Sequence, residues 1–266
     1  MAELTLYQVD AFAEKPFEGN PAAIVPLDSW LPDETLQAIA MENNLAETAY
    51  FVPGDDGYAL RWFTPGAEVP LCGHATLASA HVLFTHLGSS GGRLTFQTKS
   101  GPLTVTRENG LYVMDFPSNP PKPTVAPDAL ATALGAKPVM ILKAHYFLAV
   151  YEDMREVAAL RPDLARLTRF CADTNSGVIV TAPGDEALGW DCASRFFAPH
   201  IGVPEDPVTG SAHTTVVPFW AKRLKKNDIT ARQISKRGGT LFCTDAGERV
   251  IMRGTAVDYL QGRIFV

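Results

Sequence analysis

None of the four cysteines, Cys72, Cys171, Cys192 and Cys243, stands in a Cys-x-x-Cys or Cys-x-x-His spacing. A structural zinc site needs closely paired ligands, so no metal site is expected. No apolar run of about 20 residues is present to cross a bilayer. The start, Met-Ala-Glu-Leu-Thr-Leu, has neither the basic part nor the long apolar part of a secretory signal. These absences lead to the expectation of a cytoplasmic chain with free thiols and no membrane partner. Basic runs are missing too: none exceeds Lys225-Lys226, and a net charge of −6 with a pI near 5.5 argues against a nucleic-acid partner. Neither the glycine fingerprint of dinucleotide binders nor that of nucleoside-triphosphate binders occurs, and no cofactor is expected.

What is present is enough apolar material for a folded core. The hydrophobic fraction is 46%, with 14 Phe, 7 Tyr and 4 Trp in 266 residues, ample for two modest lobes. Two stretches are near copies. Arg61-Trp-Phe-Thr-Pro65 is followed by Val69-Pro70 and reaches Cys72; Arg195-Phe-Phe-Ala-Pro199 is followed by Val203-Pro204 and reaches Asp206. The offset is constant, since 195 − 61, 203 − 69 and 206 − 72 all give 134. The chain therefore reads as a duplicated lobe. Equivalent points of two such lobes are expected to face a common cleft, where ligand pockets prefer to form.

Alternating apolar residues and turn signals predict strands at 4–10, 22–25, 48–52 and 58–64. A helix is expected from Asp33, with Leu36, Ile39, Ala40 and Leu45 on one face. An Ala/Leu-rich helix is expected over 72–84, and strands over 94–98, 103–107 and 111–116. Segment 117–127 holds five prolines in eleven residues, which neither a helix nor a central strand accommodates. It is expected to be a linker, 118–127, between an N-terminal lobe, 1–117, and a C-terminal lobe, 128–256. The apolar end, 257–266, is expected to pair back onto the first lobe. In the second half, helices are expected at 128–134, 153–167 and 207–222. Strands are expected at 146–151, 177–181, 192–198, 233–235, 240–244 and 249–252. Strands in meander order around one apolar helix, twice, give an α+β class and disfavour a doubly wound parallel sheet.

Cys72-Gly-His-Ala and Pro207-Val-Thr-Gly-Ser-Ala each lie where a loop enters a helix. Helix starts leave N–H groups unpaired and carry partial positive charge, so two of them would suit a small carboxylate. The alternative is that these glycines only permit close packing. Glu47 sits in the apolar entry Asn44-Leu-Ala-Glu-Thr-Ala-Tyr-Phe-Val52. Such surroundings suit a general acid/base, although, for this residue taken alone, a solvated turn or a partner for Arg61 is the more common explanation. His74, at a helix start, is expected to favour neutral imidazole. Asp206 reads either as a site residue or as a helix cap. His81, His86, His145, His200 and His213 show no metal-ligand spacing.

The combination Asp10-Ala-Phe, Phe17-Glu-Gly-Asn-Pro21, Asn44-Leu-Ala-Glu-Thr48, Arg61-Trp-Phe-Thr-Pro65, Glu68-Val-Pro-Leu-Cys-Gly-His-Ala-Thr76 and Pro204-Glu-Asp-Pro-Val-Thr-Gly-Ser-Ala212 resembles the phenazine-biosynthesis, PhzF-like, isomerase family. That family shares the two-lobed diaminopimelate epimerase fold, each lobe an antiparallel barrel-like sheet around a central helix. The resemblance runs through nearly the whole chain. It implies Glu47 as the catalytic residue and His74 and Asp206 as substrate-holding residues. It further implies that backbone groups at Gly73, Gly210 and Ser211 hold a substrate carboxylate, with Cys72 and Asn20 as further candidates. It implies a cofactor-independent proton shift in a small cyclic acid such as trans-2,3-dihydro-3-hydroxyanthranilate, and a homodimer. Ala46 stands where a serine is common in the family. Related epimerases and racemases use one cysteine at each helix start; here the opposite loop reads Asp206-Pro207. Two rival readings are an amino-acid epimerase using Cys72 and a non-catalytic metabolite-binding module.

Overall fold

The fold was read from a computed structural model that describes residues 2–125 and 128–266. In chain order the elements are β1 (Glu3–Ala11), β2 (Asn20–Pro26), α1 (Asp33–Asn43), β3 (Glu47–Gly54), β4 (Gly57–Phe63), β5 (Glu68–Val69), α2 (Gly73–Thr85), β6 (Arg93–Thr98), β7 (Gly101–Glu108) and β8 (Leu111–Pro117). There follow β9 (Lys122–Pro123), α3 (Asp128–Leu134), β10 (Met140–Lys143), β11 (Phe147–Val150), α4 (Met154–Ala159), α5 (Leu164–Thr174), β12 (Val178–Pro183) and β13 (Cys192–Ala198). The chain ends with β14 (Val203–Asp206), α6 (Gly210–Leu224), β15 (Asp228–Gln233), β16 (Gly239–Asp245), β17 (Arg249–Gly254) and β18 (Ala256–Phe265). Two compact units result: Met1–Asp115 with Arg253–Val266, and Phe116–Met252.

Within the first unit β1 pairs antiparallel with both β18 and β2, β2 pairs parallel with β3, β3 antiparallel with β4, β4 parallel with β6, and β6 antiparallel with β7. The second unit repeats the series. β10 and β11 are antiparallel, β11 and β12 parallel, β12 and β13 antiparallel, β13 and β15 parallel, and β15 and β16 antiparallel. The α+β class holds, with mixed ladders: each parallel pair occurs where helix intervenes between the strands, because parallel neighbours need a long crossover. The β2–β3 crossover carries α1, and the β11–β12 crossover carries α4 and α5. The crossovers β4–β6 and β13–β15 carry a short hooked strand followed by α2 or α6.

Helix α2 is buried from His74 to Leu83 without a break. Small and apolar residues fill most of this stretch, as enclosure on every side requires, and its two histidines each lie against a polar partner, Glu47 and Tyr112. Helix α1 buries Leu36, Ile39 and Ala40 against Leu6, Val25, Tyr50 and Phe63. In the second unit Leu130, Leu134, Val157, Leu167 and Phe170 close over Phe147, Val180 and Phe197. Pro218 lies inside α6 and cannot donate to the carbonyl four residues back. That carbonyl, on Thr214, instead accepts the N–H of Asn119, at 3.0 Å.

The expected helix over 153–167 is two helices. Pro162 stops the first, with Leu160 already extended at φ −52°, ψ 134°, and Asp163 caps the next by accepting from the Arg166 N–H. Strand β10 was not expected, and β15 begins five residues earlier than the sequence suggested. In the proline-rich segment Ser118 donates its N–H to Glu248 and β9 pairs with β10; its last two residues, Ala126 and Pro127, lie outside the described residues. No helix among the described residues is long and apolar enough to cross a membrane.

Candidate active site

Four of the sequence candidates meet in the first unit. Asn20 opens β2 and Glu47 opens β3. The two strands run parallel with Ala22 beside Glu47, so both side chains stand at the same end of the ladder. Gly19 makes the approach to Asn20 possible: at φ +64° a Cβ would lie 2.2 Å from the Ala11 carbonyl oxygen. Cys72 is the N-cap of α2, extended at φ −146°, ψ 110°, and His74 lies in the helix's first turn.

His74 Nε2 lies 3.0 Å from Glu47 Oε2. The other ring nitrogen, Nδ1, is 3.3 Å from Asn20 Nδ2 and 3.4 Å from Cys72 Sγ. When the ring is protonated both of its nitrogens are donors and neither accepts. Burial alone would lower the basicity of His74, but the Cys72 sulfur and the Glu47 carboxylate outweigh it and raise its pKa well above the usual histidine value. The expectation of a neutral imidazole at a helix start is thereby reversed, because the carboxylate is closer than the helix end is strong. Burial, with the Glu47 charge second, pushes the Cys72 thiol up to about 11. Arg61 does not pair with Glu47. It makes a two-pronged bond to Glu68, at 2.8 and 2.9 Å, and reaches Asp33 at 2.8 Å.

The start of α2 has no acidic residue, so no negative charge in its first turn competes with an anion there. Glu47, Cys72 and His74 each also offer one atom of metal-ligand type, all within 4.8 Å of one another.

In the second unit Asp206 ends β14 and does not cap α6. The N-cap is Thr209, whose hydroxyl donates to Asp206 Oδ2 at 2.5 Å. Gly210 and Ser211 form the first turn of α6, which likewise has no acidic residue. Gln233, fully buried, clips this loop: its Oε1 accepts the Thr209 N–H at 2.9 Å and its Nε2 donates to the Asp206 carbonyl at 2.7 Å. Tyr146 Oη lies 3.2 Å from Ser211 Oγ. Neither Gln233 nor Tyr146 adjoins a motif, so no pattern along the chain marks them.

The ladder registers also correct the alignment of the repeat. Trp62 pairs with Val69 and Phe196 pairs with Asp206. Trp62 and Phe196 differ by 134, whereas Val69 and Asp206 differ by 206 − 69 = 137. The partners of the repeated arginines, Glu68 and Glu205, also differ by 137, as do the helix starts Gly73 and Gly210. A one-turn 3-10 helix, Pro199–Ile201, adds three residues to the second copy. Asp206 is therefore the counterpart of Val69, and Thr209 is the counterpart of Cys72.

Two mixed-sheet units, each wrapped on a buried helix, define the class of diaminopimelate epimerase-like folds. The match to known proteins is closer than that. The family model for phenazine biosynthesis-like proteins (PhzC-PhzF) fits residues 9–262. A Pseudomonas aeruginosa protein described as an uncharacterized isomerase is 51% identical over 262 residues, which is 98% of this chain and 99% of that one. The human phenazine biosynthesis-like domain-containing protein is 37% identical over 285 residues, 98% and 99% of the two chains. A crystal structure of a PhzF-family protein from Enterococcus faecalis superposes with a TM-score of 0.95 at 43% identity, covering all of both chains. The chain belongs to the PhzF family of phenazine biosynthesis-like proteins.

Proposed function

We propose that this protein is a cofactor-independent isomerase that moves a proton within a small cyclic carboxylic acid, such as trans-2,3-dihydro-3-hydroxyanthranilate. The observation that carries the reading is the 3.0 Å pairing of Glu47 with His74 at the start of α2. Glu47, as carboxylate, takes a proton from a carbon activated by its neighbours and returns it to another carbon on the same face. The proton count balances with no other reactant. His74, 3.0 Å from Glu47, and Asp206 orient the substrate; each such contact contributes a few kcal/mol in the transition state. Backbone N–H groups at Gly73, Gly210 and Ser211 take the substrate carboxylate. Membership of the family supports these assignments, and a cytoplasmic homodimer belongs to the same reading.

The test is Glu47→Gln, close to isosteric, assayed for deuterium exchange into a cyclic dihydro acid. Loss of general base catalysis lowers the rate by about 10²–10⁴-fold. Exchange at the wild-type rate sinks the assignment.

One observation favours a second reading. Cys72 Sγ lies 3.4 Å from His74 Nδ1, a thiol–imidazole contact of the kind that activates a nucleophile or base. An amino-acid epimerase built on it incorporates deuterium at an α-carbon and loses that activity in Cys72→Ser.

A further inference from the structure

A second group of ligand atoms lies at the other end of α2, in the same unit. His81 is a buried residue of the helix, His86 is its C-cap residue, and Asp258 comes from β18. His81 Nε2 and His86 Nε2 lie 3.1 and 3.0 Å from the same atom, Asp258 Oδ1. All three ligand atoms fall within 4.8 Å of one another.

These distances approach those of a coordination shell. Zinc holds imidazole nitrogen and carboxylate oxygen at about 2.0–2.2 Å, which makes the edge of a tetrahedral site roughly 3.3–3.5 Å. Opening the two N···O edges by a few tenths of an ångström admits the ion. The outer contacts also fit. His81 Nδ1 is 2.9 Å from the Tyr112 hydroxyl, the kind of second partner that fixes a ligating imidazole with its lone pair on the other nitrogen. The His86 ring stacks on Tyr7, with centroids 4.8 Å apart and planes 26° apart. Side-chain exposure rises from 9% at His81 through 23% at His86 to 42% at Asp258, so one side is open to water for a fourth ligand. The last turn of α2 has no basic residue, so a cation there complements the carbonyl end of the helix. Arg107, whose charge His81 feels, works against a dication and tempers its affinity.

We propose that His81, His86 and Asp258 bind a divalent transition-metal ion of the zinc class, as a clip that pins the last strand, β18, to the end of α2. Two imidazoles and one carboxylate select zinc, cobalt, nickel or copper over magnesium and calcium, which prefer all-oxygen shells. Spacing along the chain hides the site, because Asp258 stands 172 residues from His86.

The test is cobalt(II) titrated into chelator-treated full-length protein, followed by visible absorption. The rival site is Glu47, Cys72 and His74, and its thiol would add a sulfur-to-cobalt charge-transfer band. The expected result is tetrahedral cobalt bands without that sulfur band, in the wild type and equally in Cys72→Ser. The bands should be lost in His86→Ala and in Asp258→Asn. Zinc should displace the cobalt and raise the Tm by several degrees in the wild type and in Cys72→Ser, but not in the two ligand variants. Either of two results overturns the proposal: no cobalt bands in Cys72→Ser at millimolar cobalt, or bands undiminished in both ligand variants. Cys72→Ser leaves the proposed ligands intact, so that arm decides the question even if a ligand variant folds poorly.

Discussion

Cys72 and Thr209 hold the same place in the two halves of the fold: each is the N-cap of its unit's buried helix. They lie 209 − 72 = 137 residues apart. At the point where a second thiol would stand in a two-cysteine racemase, this chain has a hydroxyl that already donates to Asp206. Cys72 itself is buried, with its thiol pushed up to about 11. A thiol in that state is a poor base at neutral pH.

The first prediction follows from that asymmetry. Cys72→Ser keeps proton exchange within about tenfold of wild type, since no step in the proposed reaction passes through sulfur. Alkylation of the native protein at position 72 stays slow at pH 7 and accelerates only on approach to pH 11. The pH profile of iodoacetamide labelling, read by mass spectrometry, checks the second part. A loss of activity of about a thousandfold or more in Cys72→Ser restores the epimerase reading.

The sequence made the order of strands and helices legible because apolar period and turn residues coincide at β1 to β4 and at α2. The three-residue slip in the repeat was hidden. Val-Pro recurs at a constant 134 in both copies, while the backbone pairs Asp206 where the first copy pairs Val69. Only the ladder reveals that shift. Glu47 could be singled out as a carboxylate in apolar surroundings, but its partner could not: Arg61 stood closer in expectation, and its guanidinium goes to Glu68 and Asp33. Gln233 and Asp258 act on residues far along the chain, and no local pattern marks such a contact. Segment 153–167 read as one helix around Pro162, because whether a proline kinks or stops a helix depends on what caps the next one. Here Asp163 does so.

His74 makes stability depend on pH in a defined direction. Its folded-state pKa is raised, burial being outweighed by Cys72 and Glu47. The stabilisation is therefore complete below the unfolded value of about 6.5. It is lost as pH climbs through the folded value. In urea titrations, wild type should exceed His74→Gln in unfolding free energy by the largest margin near pH 6, and the margin should shrink toward alkaline pH. A margin that grows with pH contradicts the ion pair with Glu47.

The two repeated arginines should differ in what they contribute. Arg61 and Arg195 each fork onto a glutamate and lie over Phe63 and Phe197, at 5.1 and 5.0 Å. Arg195 does more: its Nη1 also donates to the carbonyls of Val157 and Leu160, at 3.0 and 3.1 Å, where α4 ends. Removing it takes the cation from the Glu205 carboxylate and a donor from the Val157 carbonyl, while the Leu160 carbonyl keeps the Arg161 guanidinium, at 2.9 Å. Arg195→Met should cost about 3 kcal/mol. Arg61→Met, whose further partner Asp33 is largely solvated, should cost roughly 1 kcal/mol. Chemical denaturation of both variants measures the difference, and equal losses would show that the carbonyl contacts add nothing.

His213 sets an acid limit in the second unit. It is fully buried in α6, Nδ1 lies 2.7 Å from the Thr209 carbonyl, and Nε2 has no partner among the described residues. Burial, only partly opposed by that carbonyl, lowers its pKa to about 4. Here the unfolded chain takes the proton first, at about pH 6.5. Stability therefore falls as pH drops from 6.5 toward 4 and levels off below, by about 3 kcal/mol in all at 1.36 kcal/mol per pH unit. The sign is opposite to that of His74, so the two can be separated by substitution. His213→Asn retains a side-chain N–H for the Thr209 carbonyl but cannot take up a proton. Its unfolding free energy should be flatter than wild type between pH 6.5 and 4, whatever its absolute value. An equally steep acid slope in the variant would assign the loss to other groups.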